Sequence, residues 1–101
     1  MKYERTSRSL VDYARLDPHQ RDAFKQAVTL INQAYDRRGK QAIPTWPKHL
    51  RVKDVESSHE VWEMTWDWPN GRATFEYVDV GTGEVAIRWR RIGGHDIFGD
   101  P

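Results

Sequence analysis

The chain contains no cysteine. That excludes disulfides, thiolate metal sites and a cysteine nucleophile, and it fits a reducing, cytoplasmic setting. No apolar run approaches the ~20 residues that a membrane helix needs, so no membrane association is expected. Behind the positive charges of MKYERTSRSL there is no apolar stretch, so no secretory signal is expected either. Histidine is scarce, with 4 in 101 residues. No two stand at helical metal-ligand spacing, and neither a metal nor another cofactor is expected. Nucleophile-elbow and Walker patterns are absent. The GTG at 81–83 is too short to cradle a phosphate and reads as a turn.

What is present suits one domain over residues 1–101, with a hydrophobic fraction of 38% and a charged fraction of 31%. The net charge of +1 conceals an asymmetry. Residues 1–53 carry twelve Lys/Arg against five Asp/Glu, whereas residues 54–101 carry four against ten. A dedicated nucleic-acid binder shows a clear basic excess, and here only the first half does. Opposite halves also favour docking on each other, or on a partner with complementary patches.

Residues 2–6 alternate weakly, as a short edge strand does. Ser7 is the expected N-cap of a helix reaching about Leu16, with Leu10, Tyr13 and Ala14 on its apolar stripe. In DPHQ, Asp17 caps a second helix, Pro18 takes its first position and Gln20 closes a capping box. Phe24, Ala27, Val28, Ile31 and Tyr35 give that helix one continuous apolar face. Arg37 and Arg38 suit its C-terminal dipole, and Gly39 suits its C′ position. The short connection predicts an antiparallel helical hairpin. KQAIPTWPKHL (40–50) reads as an extended loop.

From residue 50 the period changes from 3.6 to 2. LRVKDV alternates imperfectly. VWEMTWDW places Trp62, Met64, Trp66 and Trp68 on one face, with Val61, Glu63, Thr65 and Asp67 opposite. Asn70-Gly71 signals a tight hairpin. RATFEYV then alternates Ala73, Phe75 and Tyr77 with Arg72, Thr74 and Glu76. After GTGE, VAIRWRRI sets Val85, Ile87 and Trp89 against Ala86, Arg88 and Arg90. The predicted fold class is α+β: a short N-terminal strand, the helical hairpin, then a three- to four-stranded antiparallel meander whose aromatic face packs under the helices.

The other face collects Glu63, Thr65, Arg72, Thr74, Glu76, Arg88 and Arg90 beside the terminal GGHDIF, and it is the candidate site. The forked guanidinium of Arg72 suits a phosphate, and Arg88 and Arg90 can share the task. The alternative use of each arginine is a cross-strand ion pair with Glu63 or Glu76. His95 follows Gly93-Gly94 and has a reference pKa of ~6.5, suited to proton transfer. A solvated side chain is its alternative. Asp96, adjacent in sequence, is expected to fix the chain end. His19, His49 and His59 fall at a helix start and in loops.

In this order the elements and motifs resemble the RelE/ParE superfamily of bacterial type II toxins. YERT, DPHQRDAFKQAVTLINQAY, LRVKDV and VWEMTW…GRATFEY…WRRIGGHDIF carry the likeness over nearly the whole chain, and the last set is similar to an actinobacterial-type subgroup. The resemblance implies a toxin component neutralised by a cognate antitoxin protein. In the RelE-like branch it implies a ribosome-dependent mRNA endonuclease that inhibits translation, with the ribosome and mRNA as partners. Carried over, Arg72 corresponds to the family's phosphate-binding arginine and His95 falls where some members place their general acid. Glu63 and Thr65 stand where RelE has two catalytic lysines; other branches use a glutamate base from a different position in the chain, and by that likeness the resemblance implies Glu63 as the base. Phe98 replaces a tyrosine. Arg51, Lys53, Arg88 and Arg90 complete the RNA- and phosphate-binding set, and Arg37, Arg38, Lys40 and Lys48 can add contacts to RNA. The ParE-like alternative is a non-enzymatic inhibitor of DNA gyrase, and a third reading is an inactive, toxin-like binding module.

Overall fold

The computed structural model describes residues 3–38, 46–55, 60–67, 70–79 and 85–101. The C′ glycine at 39, Lys40, His59, Trp68 and the turn at 81–84 lie outside them. The chain runs β1 (Tyr3–Arg5), α1 (Ser7–Arg15), α2 (Pro18–Arg38), a 3-10 turn (Lys48–Leu50), β2 (Lys53–Asp54), β3 (Trp62–Asp67), β4 (Gly71–Asp79), β5 (Val85–Gly93) and a C-terminal 3-10 turn (His95–Gly99). The five strands form one sheet in the order β1-β5-β4-β3-β2. Strands β2 to β5 make the expected antiparallel meander. The sheet as a whole is mixed, because β1 joins it parallel to β5. A strand that begins the chain and turns directly into a helix can meet the last strand only after a long crossover, and local alternation carries no trace of that pairing.

Of the two helices, α2 matches its reading closely. Asp17 Oδ1 accepts the Gln20 N–H at 2.8 Å, and Gln20 Oε1 accepts the Asp17 N–H at 2.9 Å, a closed capping box. Phe24, Ala27, Ile31, Ala34 and Tyr35 are buried. In α1 the expectation fails at two points. The cap is Thr6 rather than Ser7: its Oγ1 accepts from Ser9 N–H at 3.1 Å. Of the expected stripe only Tyr13 packs against the core; the helix buries Ser9 and Asp12, while Leu10 is 47% exposed, Val11 is 51% exposed and Ala14 is exposed.

The reason lies in what α1 covers. It continues the line of β1 along the edge of β5, so it meets backbone polar groups as well as apolar side chains. Thr6 N–H donates to Trp89 O (3.2 Å) and Thr6 Oγ1 donates to Arg90 O (3.1 Å). Asp12 Oδ2 accepts the Ile92 N–H (3.1 Å). An open strand edge has to satisfy such groups, and here polar helix residues do it. Leu10 and Val11 are turned outward, whereas Tyr13 packs against the core and meets Phe24 at 6.0 Å between ring centroids. With Tyr3, Tyr13, Phe24, Val28 and Trp89, Leu10 lines a groove of about 450 Å³ that also carries Arg5 and Lys25.

Beneath the helices the rings interlock. Phe24 meets Trp89 at 5.2 Å and Trp66 at 6.0 Å between centroids. Phe75, fully buried, contacts Tyr77 and Trp89 at 5.5 and 5.6 Å. Trp46 closes the cluster from the loop, with its indole N–H donating to Tyr77 OH at 2.8 Å. Staggered, tilted rings of this kind add to the burial of their large apolar area.

Candidate functional site

Strand register arranges the face opposite the helices in rows. Because side chains of directly paired residues share a face, Lys53, Glu63, Thr74 and Arg91 form one row across β2, β3, β4 and β5. The next row is Thr65, Arg72 and Gly93. A row on the other side holds Glu76, Arg88 and Glu4. Glu63 and Arg72 are therefore diagonal neighbours on one face. His95 begins two residues beyond Gly93, the partner of Arg72.

The arrangement differs from an open polar surface. Arg72 is only 7% exposed and donates through Nη1 to Gly71 O at 3.1 Å. Its own carbonyl accepts from the Trp66 indole N–H at 2.8 Å. That bond is possible because Trp66 is an extra residue in β3, between the pairs Thr65–Arg72 and Asp67–Gly71. Gly71 is required by the same close approach, since a Cβ there would stand 2.7 Å from the Asp67 Cβ. Thr74 is fully buried, and its hydroxyl has no hydrogen-bond partner among the described residues. An unpartnered buried hydroxyl costs about 1–3 kcal/mol.

The C-terminal segment does the covering. After Gly93-Gly94 the chain turns back, and the 3-10 turn packs against β4 and β5. Ile97 is 1% exposed and sits on Gly93, where a Cβ would come within 2.9 Å of the Ile97 Cγ2. Since Gly93 pairs with Arg72, Ile97 closes the Arg72 row. His95 itself is exposed at the rim, its ring edge-on to Phe98 at 6.0 Å. Asp96 lies in the same turn, and its Oδ1 faces the backbone of Gly94.

Several of the other candidates take the ion-pair use. Arg88 lies between Glu4 (2.8 Å) and Glu76 (3.0 Å), and these hydrogen bonds, Glu4 first, hold its guanidinium above the ordinary value. Arg90 is the extra residue at a second bulge, between the pairs Thr74–Arg91 and Phe75–Trp89. It reaches Glu76 at 3.6 Å and donates to Pro101 O at 3.1 and 3.3 Å. Lys53 stands 3.6 Å from Glu63. Arg51 is exposed and left-handed (φ 51°), ending the 3-10 turn with its N–H on Lys48 O. Arg51 and Lys53 lie toward the β2 side of the sheet, away from the Gly93–Gly94 end.

Sequence reasoning missed the pair that holds this region together. The Arg91 guanidinium grips Asp12 from Nε (2.7 Å) and Nη2 (3.3 Å), with the Ile92 N–H on the same carboxylate. The Asp12 hydrogen bonds hold the Arg91 guanidinium above its ordinary value. A signal existed: Ser9, Asp12 and Leu16 have helical spacing, but only a reader expecting a polar inner stripe would have selected it. The bulge at Arg90, which brings Arg91 opposite Thr74, has no signature in the alternation.

Beside the cover, a polar cleft of about 370 Å³ opens at the end of the sheet, with Asp12, Arg15, Asp67, Arg91 and Asp96 on its walls. None of the sequence-predicted site residues lines it. No group of three or more metal-ligating side chains occurs among the described residues. Chemically, the covered face offers a carboxylate, a buried guanidinium and a hydroxyl in adjacent rows, with an imidazole at the rim. Neither protein-family models, curated proteins nor solved structures give a match to this chain.

Proposed function

We propose that this chain is the toxin component of a type II toxin–antitoxin pair of RelE/ParE type, with the corresponding fold, and that it cuts mRNA on the ribosome in the cytoplasm. The observation carrying this reading is the placement of Glu63 and Arg72 in adjacent rows of one face, with His95 two residues beyond Gly93, which ends the Arg72 row. Cleavage of this class uses the RNA's own 2′-hydroxyl. Glu63 takes the proton of that hydroxyl, its oxygen attacks the adjacent phosphorus, and Arg72 offsets the charge that develops on the phosphoryl oxygens. His95 gives a proton to the departing 5′-oxygen, leaving a cyclic phosphate and a free 5′-hydroxyl. Lys53 and Arg51 lie toward the Glu63 side, where the backbone of the RNA would run.

A cognate antitoxin would take the inverted helix. Tyr3 and Leu10 are exposed apolar groups in one groove, flanked by Arg5 and Lys25. An acidic amphipathic segment matches that surface. No helix among the described residues is long and apolar enough to cross a membrane.

The burial of Arg72 and the ion pairing of Arg88 favour a second reading, in which the molecule acts by binding alone, as an inhibitor of DNA gyrase or as an inactive module. Controlled expression separates the two. The endonuclease reading expects growth arrest with new mRNA 5′ ends, relieved by Arg72→Ala, His95→Ala and Glu63→Gln at equal protein levels. Arrest that all three variants retain contradicts the site. Arrest with a DNA-damage response and intact mRNA favours gyrase, and no arrest favours the inactive module.

A further inference from the structure

We propose that Gly94–Pro101 is a hinged cover over an anion site built from Arg72, Thr74, Arg90 and Arg91, and that the ligand is a phosphate-bearing group. The identity of that group as RNA rests on the reading above; the cover and the anion site do not.

Four observations converge. Thr74 is fully buried, and its hydroxyl has no partner among the described residues, so the fold keeps a polar group in place that its own contacts do not use. One row away, the buried Arg72 pairs with Gly93, the residue on which Ile97 of that segment sits. The cover is seated by one apolar plug, Ile97, directly on Gly93. Further tethers join the segment to arginines: Arg91 Nη1 to Asp100 O at 3.0 Å, Arg90 to Pro101 O at 3.1 and 3.3 Å, and an exposed Arg8–Asp100 pair at 2.8 Å.

Those tethers explain what opening would do. The carbonyl oxygens of Asp100 and Pro101 accept from guanidinium N–H groups beside the Arg72 row, as phosphate oxygens would. Lifting the segment at Gly93-Gly94 removes those acceptors, releases the donors of Arg90 and Arg91, and uncovers Arg72 and Thr74 in the same movement. An incoming phosphate then replaces the two carbonyls and gives the Thr74 hydroxyl an acceptor. Arg91 keeps its Asp12 contacts throughout, since they use Nε and Nη2 rather than the Nη1 that holds Asp100. The cover therefore competes with the ligand for the same hydrogen-bond donors, a built-in restraint on the site.

The test opens the cover and measures anion binding. Ile97→Asp places a charge where the plug is buried. Two probes are used: pyrophosphate, and a 2′-O-methyl hexanucleotide that resists cleavage. In this variant amides 95–100 should exchange hydrogen at least tenfold faster, and both probes should bind at least tenfold more tightly than to the unaltered chain. Adding Arg72→Gln or Thr74→Val should remove the gain. Tighter pyrophosphate binding without tighter oligonucleotide binding supports the covered anion site and contradicts the RNA reading. Faster exchange without any gain in pyrophosphate binding overturns the proposal. Should Ile97→Asp fail to fold, Gly93→Ala presses a single methyl against Ile97 and gives the same comparison by a smaller change.

Discussion

The two faces of the sheet are held together in different ways. On the helix side, Phe24, Trp46, Trp66, Phe75, Tyr77 and Trp89 form a continuous cluster, in which every ring but Trp66 meets two or more others. On the opposite side the Asp12–Arg91 pair fixes the end of β5, more exposed pairs such as Arg88–Glu4 and Arg88–Glu76 join neighbouring strands, and one side chain, Ile97, seats the cover. The first face obtains its stability from area and shape, which many neighbours share. The second depends on single contacts, each of which can be made or broken alone. That difference suits a core on one side and a site that opens on the other.

The comparison is sharpened most by removing a ring from the first face. Phe75→Ala should cost about 4 kcal/mol, because a fully buried ring leaves a cavity that its neighbours fill only in part. Urea denaturation checks this, and a loss below about 1 kcal/mol would mean that the cluster is not interlocked as described. Asp12→Ala should come next, near 3 kcal/mol, since it strands a mostly buried guanidinium and the Ile92 N–H together. In a domain of this size that is a fall in Tm on the order of 10–20 °C. Pairing Asp12→Ala with Arg91→Met should cost less than the sum of the two, and strict additivity would show that the pair is not coupled.

The smallest effect is alkaline. Burial pushes the Tyr77 phenol above its ordinary value, against the hydrogen bond from Trp46 and with the Asp54 charge adding to the rise. A raised pKa in the folded state means that stability is unaffected below the unfolded value of about 10 and falls as pH rises through the folded one. Urea midpoints from pH 8 upward should therefore drop more steeply in the unaltered chain than in Tyr77→Phe. Equal slopes would place Tyr77 in contact with water.

Much of the first face was legible in the sequence. The capping box of α2, its apolar stripe and the alternation of Trp62, Met64 and Trp66 are local signals, and the structure follows them. What escaped was set by distant pairings. Nothing near residues 3–5 announces a parallel partner at residues 87–89, and α1 reads as an ordinary amphipathic helix until β5 supplies an edge to satisfy. Glu63, Thr65, Arg72, Thr74, Glu76 and Arg88 share a side as alternation places them, but the bulge at Arg90 puts Arg91 in the row position opposite Thr74 that alternation assigns to Arg90. Their burial was not legible. It follows from the two bulges, which alternation cannot foresee, and from a tail whose polar letters GGHD conceal one apolar plug at Ile97.

One face of the sheet is thus a core and the other a covered site. Residue-resolved hydrogen exchange of the unaltered chain tests it directly. The amides of Ile97 and Asp100, bonded only within the tail to Gly94 O and Ile97 O, should open well below the global free energy of unfolding, while those of Phe75 and Trp89 should exchange only with it. Exchange of Ile97 and Asp100 as slow as that of Phe75 and Trp89 would make the tail part of the core and contradict the account.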